Sequence, residues 1–364
     1  MKTLRLTLDA HDPNSGLSRS LIGQAASILR NGGLVAFPTE TVYGLGANAL
    51  DANAVAKIFT AKRRPAWDPL IVHVSSRDML ADVADVGLLS TSTSRLMDAF
   101  WPGPLTLLQP KVEAVPSIVT AGRPLVGVRM PAHPVARALI AATGVPVAAP
   151  SANSFGRTSP TRAAHVLEDL DGRIDAVLDF GETAHGLEST VVDASQSPVV
   201  VYRPGVVTLE QIQRVCGSAT LWQTDRSEEN RTDPTPESMP SPGVGIRHYA
   251  PKARLILVEG GPESGPLAHA AAFEAAIEKA LQEQHRVGIM LPRNFLAHQP
   301  PGLENRSLIF DWGNWQDTPQ LAHRLFLGLR ELDAAGVGLI LCPLPAPEGI
   351  GAAIRDRLLK GART

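Results

Sequence analysis

A short apolar segment that ends in a proline and a run of polar residues constrains the fold of this chain more than any other feature. Residues 33–37 are predicted to form a buried strand, and Pro38 ends it because proline cannot donate a hydrogen bond to a neighbouring strand. Residues 39–43, with the sequence TETVY, then supply hydroxyls and a carboxylate where the backbone turns. Because α/β folds usually bind ligands in loops at strand ends, this junction is a candidate site, although an ordinary capped loop would explain it equally well.

The order of strand-like and helix-like patterns predicts two α/β domains joined by a linker. Up to residue 216, apolar runs alternate with amphipathic patterns, but several predicted strands follow one another directly, which favours a twisted mixed sheet. Residues 217–252 are mostly polar or proline and are predicted to be a linker. Residues 253–364 resume the alternation, with a spacing typical of a smaller three-layer domain with parallel strands.

Composition and charge exclude several classes of protein. The net charge of −2 gives no overall attraction to nucleic acid or membrane, so any anion site must be a local cluster of Lys and Arg. The two cysteines, Cys216 and Cys342, lie far apart and can form neither a zinc-thiolate site nor a disulfide framework. No stretch approaches 18 uncharged apolar residues, so no membrane span is predicted, and a cytoplasmic protein is expected.

Polar and charged residues follow predicted strands or helices at several further places. The residues concerned are Lys62 and Arg64, Asp68, His73, Arg129, Ser151 and Asn153, Ser159, Glu188 and Ser189, and Arg203. Each has an ordinary structural explanation: the cations after residue 61 suit a helix C-terminus, and a single histidine is often a satisfied core residue. Their recurrence at successive junctions favours a binding cleft for anions, with Lys and Arg able to hold a polyphosphate.

Common nucleotide-binding and catalytic motifs are absent. The chain has no GxxxxGK[ST], HExxH or GxSxG sequence, and Gly44-Leu-Gly46 lacks the third glycine of a dinucleotide fingerprint. If a nucleotide binds, its phosphates must be held by Lys, Arg, Ser and backbone groups. Residues 241–251, within the predicted linker, are rich in Arg, His and Tyr and are predicted to act as a lid.

Eight sequence blocks, taken in order, resemble the threonylcarbamoyl-AMP synthase family in its long two-domain form related to YrdC. The blocks are FPTETVYGLGANA, KRRPAWDPLIVHV, WPGPLTLL, VGVRMPAHP, PSANSFGRTSPT, GLESTVVD, YRPG and SPGVGIRHYAP. The resemblance implies an open, twisted α/β catalytic domain with a concave cleft, and a Rossmann-like C-terminal domain. It also implies the reaction of L-threonine, bicarbonate and ATP, with Mg2+, to give threonylcarbamoyl-AMP and pyrophosphate.

The resemblance carries particular roles onto matching residues. L-threonine is expected to contact Thr41, His73, Arg129, Ala149 and Ser189. ATP is expected to contact Lys62, Arg64, Asp68, Leu125, Ser151, Asn153, Ser159, Arg203 and Tyr249, with Lys62 and Arg64 also catalytic. Relatives commonly have Asn at the position of Asp68, and this carboxylate would either help to hold magnesium or weaken ATP binding.

Downstream partners and alternative functions also follow from the resemblance. The product would supply the threonylcarbamoyl group for adenosine beside the anticodon of tRNA, transferred by separate proteins, and contact with double-stranded RNA is expected. An RNA-binding module, or a regulatory protein with a nucleotide-binding cleft, remains the alternative. A carbamoyl-transfer enzyme of hydrogenase maturation would need zinc fingers, which two isolated cysteines cannot form. The oligomeric state stays open.

Overall fold

The computed structural model of the protein describes residues 2–223, 248–259, 266–283, 286–293, 295, 303 and 307–363. These residues form two compact units. The first contains the chain up to Phe155, then Ser159–Ala184, and the described residues from Glu188 to residue 223. The second contains Gly156–Thr158, His185–Leu187 and the described residues from 248 onward.

The first unit is built on one mixed sheet of eleven strands. The strands are β1 (Leu4–Thr7), β2 (Val35–Phe37), β3 (Gly44–Asn48), β4 (Ile71–His73), β5 (Leu105–Pro110), β6 (Leu125–Arg129), β7 (Val147–Ala148), β8 (Ala176–Asp179), β9 (Thr190–Asp193), β10 (Val199–Arg203) and β11 (Ala219–Leu221). Their order across the sheet is β1-β8-β2-β3-β7-β4-β6-β5-β9-β10-β11. Parallel and antiparallel neighbours are mixed, which confirms the predicted sheet type.

Helices and apolar cores cover the two faces of this sheet. The helices of the first unit are α1 (Gly16–Arg30), α2 (Ala52–Lys62), α3 (Thr91–Phe100), α4 (Ser117–Thr120), α5 (Pro134–Thr143), α6 (Ala163–Leu170) and α7 (Leu209–Cys216), with short 3-10 turns at Asp78–Asp82 and Val86–Leu88. One core packs residues such as Val72 and Val128 against α2 and α3. Another packs Phe37 and Val147 against α1 and α5. Strand residues alternate between the two cores because successive side chains point to opposite faces.

The segment around Gly46 is a strand that the sequence did not predict. Strand β3 pairs antiparallel with β2, with Val35 opposite Gly46. A Cβ at Gly46 would lie 2.9 Å from side-chain atoms of both Phe37 and Val147, so only glycine fits. The side chains of Phe37 and Val147 leave no space for a larger residue at this position. This explains why β3 lacks the β-branched residues by which a strand is usually recognised in a sequence.

The second unit has a four-stranded parallel sheet. Its strands are β12 (Arg254–Val258), β13 (Val287–Arg293), β14 (Ser307–Asn314) and β15 (Leu339–Pro343), in the order β12-β15-β13-β14. Its helices are α8 (Pro266–Gln282), α9 (Thr318–Ala334) and α10 (Ile350–Ala362). Parallel strands with intervening helices confirm the predicted three-layer, Rossmann-like domain.

Part of the predicted linker is described and part is not. Strand β11 lies within it and pairs with β10, so the first residues of that segment extend the sheet. Of the predicted lid, residues 241–247 lie outside the described residues, and His248 and Tyr249 lie within them. In the described part of the chain, no helix is both long and apolar enough to cross a membrane.

Candidate active site

The candidate site lies on one face of the large sheet. His73, at the end of β4, is in register with Arg129, at the end of the parallel strand β6, so the two side chains project from the same face. A Cβ at Gly127, two residues before Arg129, would lie 3.3 Å from the Thr106 side chain. The side chain of Thr106, on β5, therefore projects from the same face. The predicted site residues of neighbouring strands therefore meet across a sheet face as well as at strand ends.

Arg129 is the centre of a buried polar cluster. Its Nη1 donates to Thr41 Oγ1 at 2.8 Å, its Nε donates to the Gly103 carbonyl at 3.1 Å, and its Nη2 lies 2.6 Å from Glu40 Oε1. Thr41 is held in turn by Thr39, whose hydroxyl lies 2.8 Å away. We call Glu40, Thr41 and Arg129 the Arg129 centre. The turn after β2, which the sequence predicted as a binding loop, thus supplies two of its three members.

The titratable groups beside Arg129 keep fixed charges at neutral pH. Burial tends to raise the pKa of Glu40, but the adjacent Arg129 charge and its hydrogen bond outweigh this and lower that pKa to about 2. Burial and the Arg129 charge lower the pKa of His73 from 6.5 to about 3. The Nδ1 atom of His73 has no hydrogen-bond partner among the described residues. The carboxylate and guanidinium of the Arg129 centre are therefore charged, and the neighbouring imidazole of His73 is neutral, so a ligand can bind there without the uptake of a proton.

A half-buried histidine, His133, makes the unit sensitive to acid. Burial lowers the pKa of His133 from 6.5 to about 4, so the folded state binds fewer protons than the unfolded state between these values. Stability is then present above pH 6.5 and is lost as the pH falls. Between pH 7 and pH 5, we expect the free energy of unfolding of the wild-type protein to fall by about 2 kcal/mol more than that of the His133→Asn variant. Urea unfolding at both pH values measures this, with the exposed His11→Asn variant as control; parallel pH profiles for all three proteins would contradict it.

Lys62 anchors the loop that follows β7. Its side chain is 1% exposed, and Nζ donates to the Ser151 carbonyl at 2.6 Å and to the Asn153 carbonyl. The backbone N–H of Phe155 donates back to the Lys62 carbonyl at 2.9 Å. Lys62 is thus brought together with two other predicted ATP ligands, Ser151 and Asn153, which lie 89 and 91 positions later in the chain.

Arg64 and Asp68 form a second buried ion pair. Arg64 Nη2 lies 2.9 Å from Asp68 Oδ1, and both side chains are less than 5% exposed. Arg64 also donates to the carbonyls of Asp68 and Pro69, at 3.1 and 2.8 Å. Asp68 therefore balances part of the positive charge that the sequence assigned to phosphate binding.

Ser189 lies in a third polar cluster. Its hydroxyl is 2.7 Å from Thr106 Oγ1, and Arg203 donates to the Ser189 carbonyl at 2.8 Å and to its hydroxyl at 3.2 Å. Ser159 donates to Glu188, the residue before Ser189. Thr106 was missed by the sequence reasoning, although a single hydroxyl residue inside the apolar run PLTLL was a visible signal.

The remaining predicted ligands are placed as follows. Ala149 is buried in the core with Phe37, and its N–H donates to the Ile71 carbonyl at 2.8 Å. Leu125 is half-buried at the start of β6. Tyr249 belongs to the second unit, where its ring stacks on Phe326 at 5.7 Å. Among the described residues there is no group of three His, Cys, Asp or Glu side chains that could hold a metal ion.

The fold and these clusters define an α/β protein with buried clusters of ion pairs and hydrogen bonds on a mixed sheet. A family model for Sua5, YciO and YrdC proteins, described as Telomere recombination, matches residues 27–205. A second model, described as Threonylcarbamoyl-AMP synthase, C-terminal domain, matches residues 207–363. The chain is 41% identical to the threonylcarbamoyl-AMP synthase of Pyrococcus abyssi over 93% of both chains. It is 40% identical to that of Bacillus subtilis, over 100% of this chain and 98% of the relative. The chain therefore belongs to the threonylcarbamoyl-AMP synthase family, as the sequence blocks indicated.

Solved structures agree with this assignment. The crystal structure of P. abyssi Sua5 complexed with L-threonine superposes with a TM-score of 0.84 at 39% identity, covering 100% of this chain and 98% of that one. This agreement supports the two-domain α/β architecture described above.

Proposed function

We propose that the chain is an L-threonylcarbamoyladenylate synthase, a nucleotidyltransferase that makes threonylcarbamoyl-AMP and pyrophosphate from L-threonine, bicarbonate and ATP. The observation that carries the proposal is the buried Arg129 centre, where a fixed guanidinium adjoins a hydroxyl, and a neutral histidine lies in register with it on the neighbouring strand. An amino acid with a carboxylate and a hydroxyl suits these groups. The L-threonine bound to the P. abyssi relative supports the same substrate class.

The proposed roles follow from the chemistry that each group can perform. Arg129 would bind the threonine carboxylate, with Thr41, His73, Ala149 and Ser189 around the rest of the substrate. ATP would enter as its magnesium complex and contact the loops of Lys62 and Arg64; the other proposed ATP ligands are Asp68, Leu125, Ser151, Asn153, Ser159, Arg203 and Tyr249. No covalent protein nucleophile is needed, so the protein acts by positioning and by charge stabilisation.

The proposed reaction has two bond-forming steps. The threonine amine forms an N–C bond to carbon dioxide and loses a proton, or to bicarbonate with the release of water, and either route gives a carbamate. A carbamate oxygen then forms a bond to the α-phosphorus of ATP as the bond to pyrophosphate breaks. Lys62 and Arg64 would stabilise the negative charge on the phosphate oxygens. The product would serve the modification of tRNA adenosine beside the anticodon, through separate transfer proteins.

Pyrophosphate release from ATP by the purified full-length chain tests the proposal. With magnesium present, we expect release only when both L-threonine and bicarbonate are supplied. Omitting either should reduce release to the background of ATP alone. Pyrophosphate release that does not depend on threonine would overturn the proposal. Salt-sensitive RNA binding without threonine-dependent pyrophosphate release would also overturn it, and would favour the RNA-binding or regulatory alternative.

Asp68 is predicted to limit the affinity for ATP. Its charge adjoins Arg64, and removing it leaves a net positive charge for the phosphates, while the two carbonyl contacts still hold the guanidinium. We expect Asp68→Asn to bind ATP about tenfold more tightly, measured by calorimetry without threonine. Asp98→Asn is the control, since Asp98 forms an exposed ion pair with Arg77. Weaker ATP binding by Asp68→Asn would show instead that the carboxylate helps to hold Arg64 or magnesium.

A further inference from the structure

We propose that Glu40 is a positioning residue that fixes the plane of Arg129 for the carboxylate of the amino-acid substrate. This inference rests on the proposed function and adds a role for a residue outside the expected ligand set. Glu40 Oε1 lies 2.6 Å from Arg129 Nη2, and both side chains are less than 10% exposed. Glu40 therefore acts through Arg129 and not on the reacting atoms.

Three contacts on three different nitrogen atoms hold the guanidinium group. Nε donates to a backbone carbonyl of Gly103, Nη1 donates to Thr41, and Nη2 faces Glu40. A guanidinium has five N–H groups in one plane. Within the described part of the chain Nε and Nη1 each use one N–H, whereas Nη2 forms an ion pair with Glu40 without a hydrogen bond, so N–H groups remain on both terminal nitrogens. We infer that these groups bind the two oxygens of a carboxylate, because N–H groups on two guanidinium nitrogens can bind a carboxylate in one plane.

Glu40 is suited to this role because it is itself immobilised. Its Oε2 accepts a hydrogen bond from the backbone N–H of His133 at 3.3 Å, at the start of α5. Its pKa is about 2, which keeps the carboxylate ionised under all conditions of assay. The helix α5 and the turn after β2 thus hold the carboxylate from two sides, and the carboxylate holds Arg129.

Two effects of Glu40 on substrate binding have opposite signs. Its negative charge weakens the attraction between Arg129 and a second carboxylate, so charge alone predicts that removal of Glu40 tightens threonine binding. Its fixed contact keeps the fork in the geometry that bidentate binding needs, so orientation predicts that removal weakens binding. We expect orientation to dominate, because a buried guanidinium that loses one of three contacts turns towards another acceptor.

The test compares two ligands in Glu40→Gln. Glutamine keeps the size of the side chain, but its neutral amide cannot form the ion pair with Arg129 Nη2, so this contact is weakened. We expect the Kd for L-threonine to rise about tenfold in the variant. The Kd for L-threoninol, in which a CH2OH group replaces the carboxylate, should change less than about twofold, measured by displacement of threonine. The KM for ATP should stay at the wild-type value, which separates this role from a general loss of structure.

A second variant and a matched control complete the experiment. Glu40→Asp keeps the negative charge, but its side chain is one methylene shorter, so the carboxylate lies further from Arg129. A positioning role therefore predicts weaker threonine binding in this variant too. Glu40→Asp replaces Glu40→Gln in the experiment if the glutamine variant does not fold. Glu182→Gln removes an equivalent carboxylate, which pairs with Arg162 at 2.9 Å near the surface, and should leave binding unchanged.

The outcomes separate the two proposals. If Glu40→Gln binds threonine as tightly as the wild-type protein or more tightly, or loses threonine and threoninol equally, the positioning role is wrong. In that case the proposed function still stands as long as the wild-type protein releases pyrophosphate with threonine. If the wild-type protein does not bind threonine at all, the proposed function itself fails.

Discussion

Replacing Lys62 by methionine is expected to slow threonine-dependent pyrophosphate release about a thousandfold and to lower the free energy of unfolding by about 3 kcal/mol. Lys62 is almost completely buried and donates to the carbonyls of Ser151 and Asn153. Methionine has a similar volume but no donor, so both carbonyls lose a charged partner inside the protein. The loop that carries the proposed ATP ligands then loses its anchor, and the phosphates lose a positive charge.

Pyrophosphate release at saturating substrates and urea unfolding measure the two effects of Lys62→Met. The control is Lys57→Met, one turn earlier in α2, because Lys57 also donates to a backbone carbonyl, that of Gly32 at 2.6 Å. Lys57 is exposed and lies outside the proposed site, so its replacement should leave turnover unchanged. A Lys62→Met protein that keeps more than a tenth of wild-type turnover would contradict the assigned role.

The fold class could be predicted because most strands and helices carry the hydrophobic period of their type. Strands and helices occur in both units, as the alternation up to residue 216 and again after residue 252 predicted. Strand β3 was missed because its sequence, GLGAN, has glycines where the sheet leaves no room for side chains. Such a strand is specified by its neighbours in space, and local propensity does not reveal it.

The sequence indicated which residue types form the candidate site, but it did not indicate which of these residues contact each other. Strand-end polar residues and the family blocks pointed to Arg129, Lys62 and Arg64. The ion pair of Arg129 with Glu40 joins residues 89 positions apart, and the Ser189 to Thr106 contact spans 83. These partners are set by the strand order β2-β3-β7-β4-β6-β5-β9, which brings distant segments together. A single sequence contains no local signal for such contacts.

Replacing Arg129 by methionine is expected to abolish threonine-dependent turnover and to lower the free energy of unfolding at pH 7 by about 4 kcal/mol. The variant leaves the Glu40 carboxylate buried without its cation, and breaking a buried pair on one side costs more than removing the whole pair. We therefore expect the double variant Glu40→Gln with Arg129→Met to recover most of the lost stability while remaining inactive. Urea unfolding of the two single variants and the double variant gives the coupling energy directly.

The pH dependence of Arg129→Met provides a separate check on this explanation. In the wild-type protein the pKa of Glu40 is lowered from 4.5 to about 2, so its contribution to stability is present above pH 4.5 and is lost as the pH falls towards 2. Without Arg129, burial remains and the pKa should rise above 4.5, so the folded state binds the extra proton. The stability deficit of Arg129→Met should then shrink between pH 7 and pH 5. The same deficit at both pH values, or a double variant no more stable than Arg129→Met, would mean that lost packing and not an unpaired carboxylate causes the destabilisation.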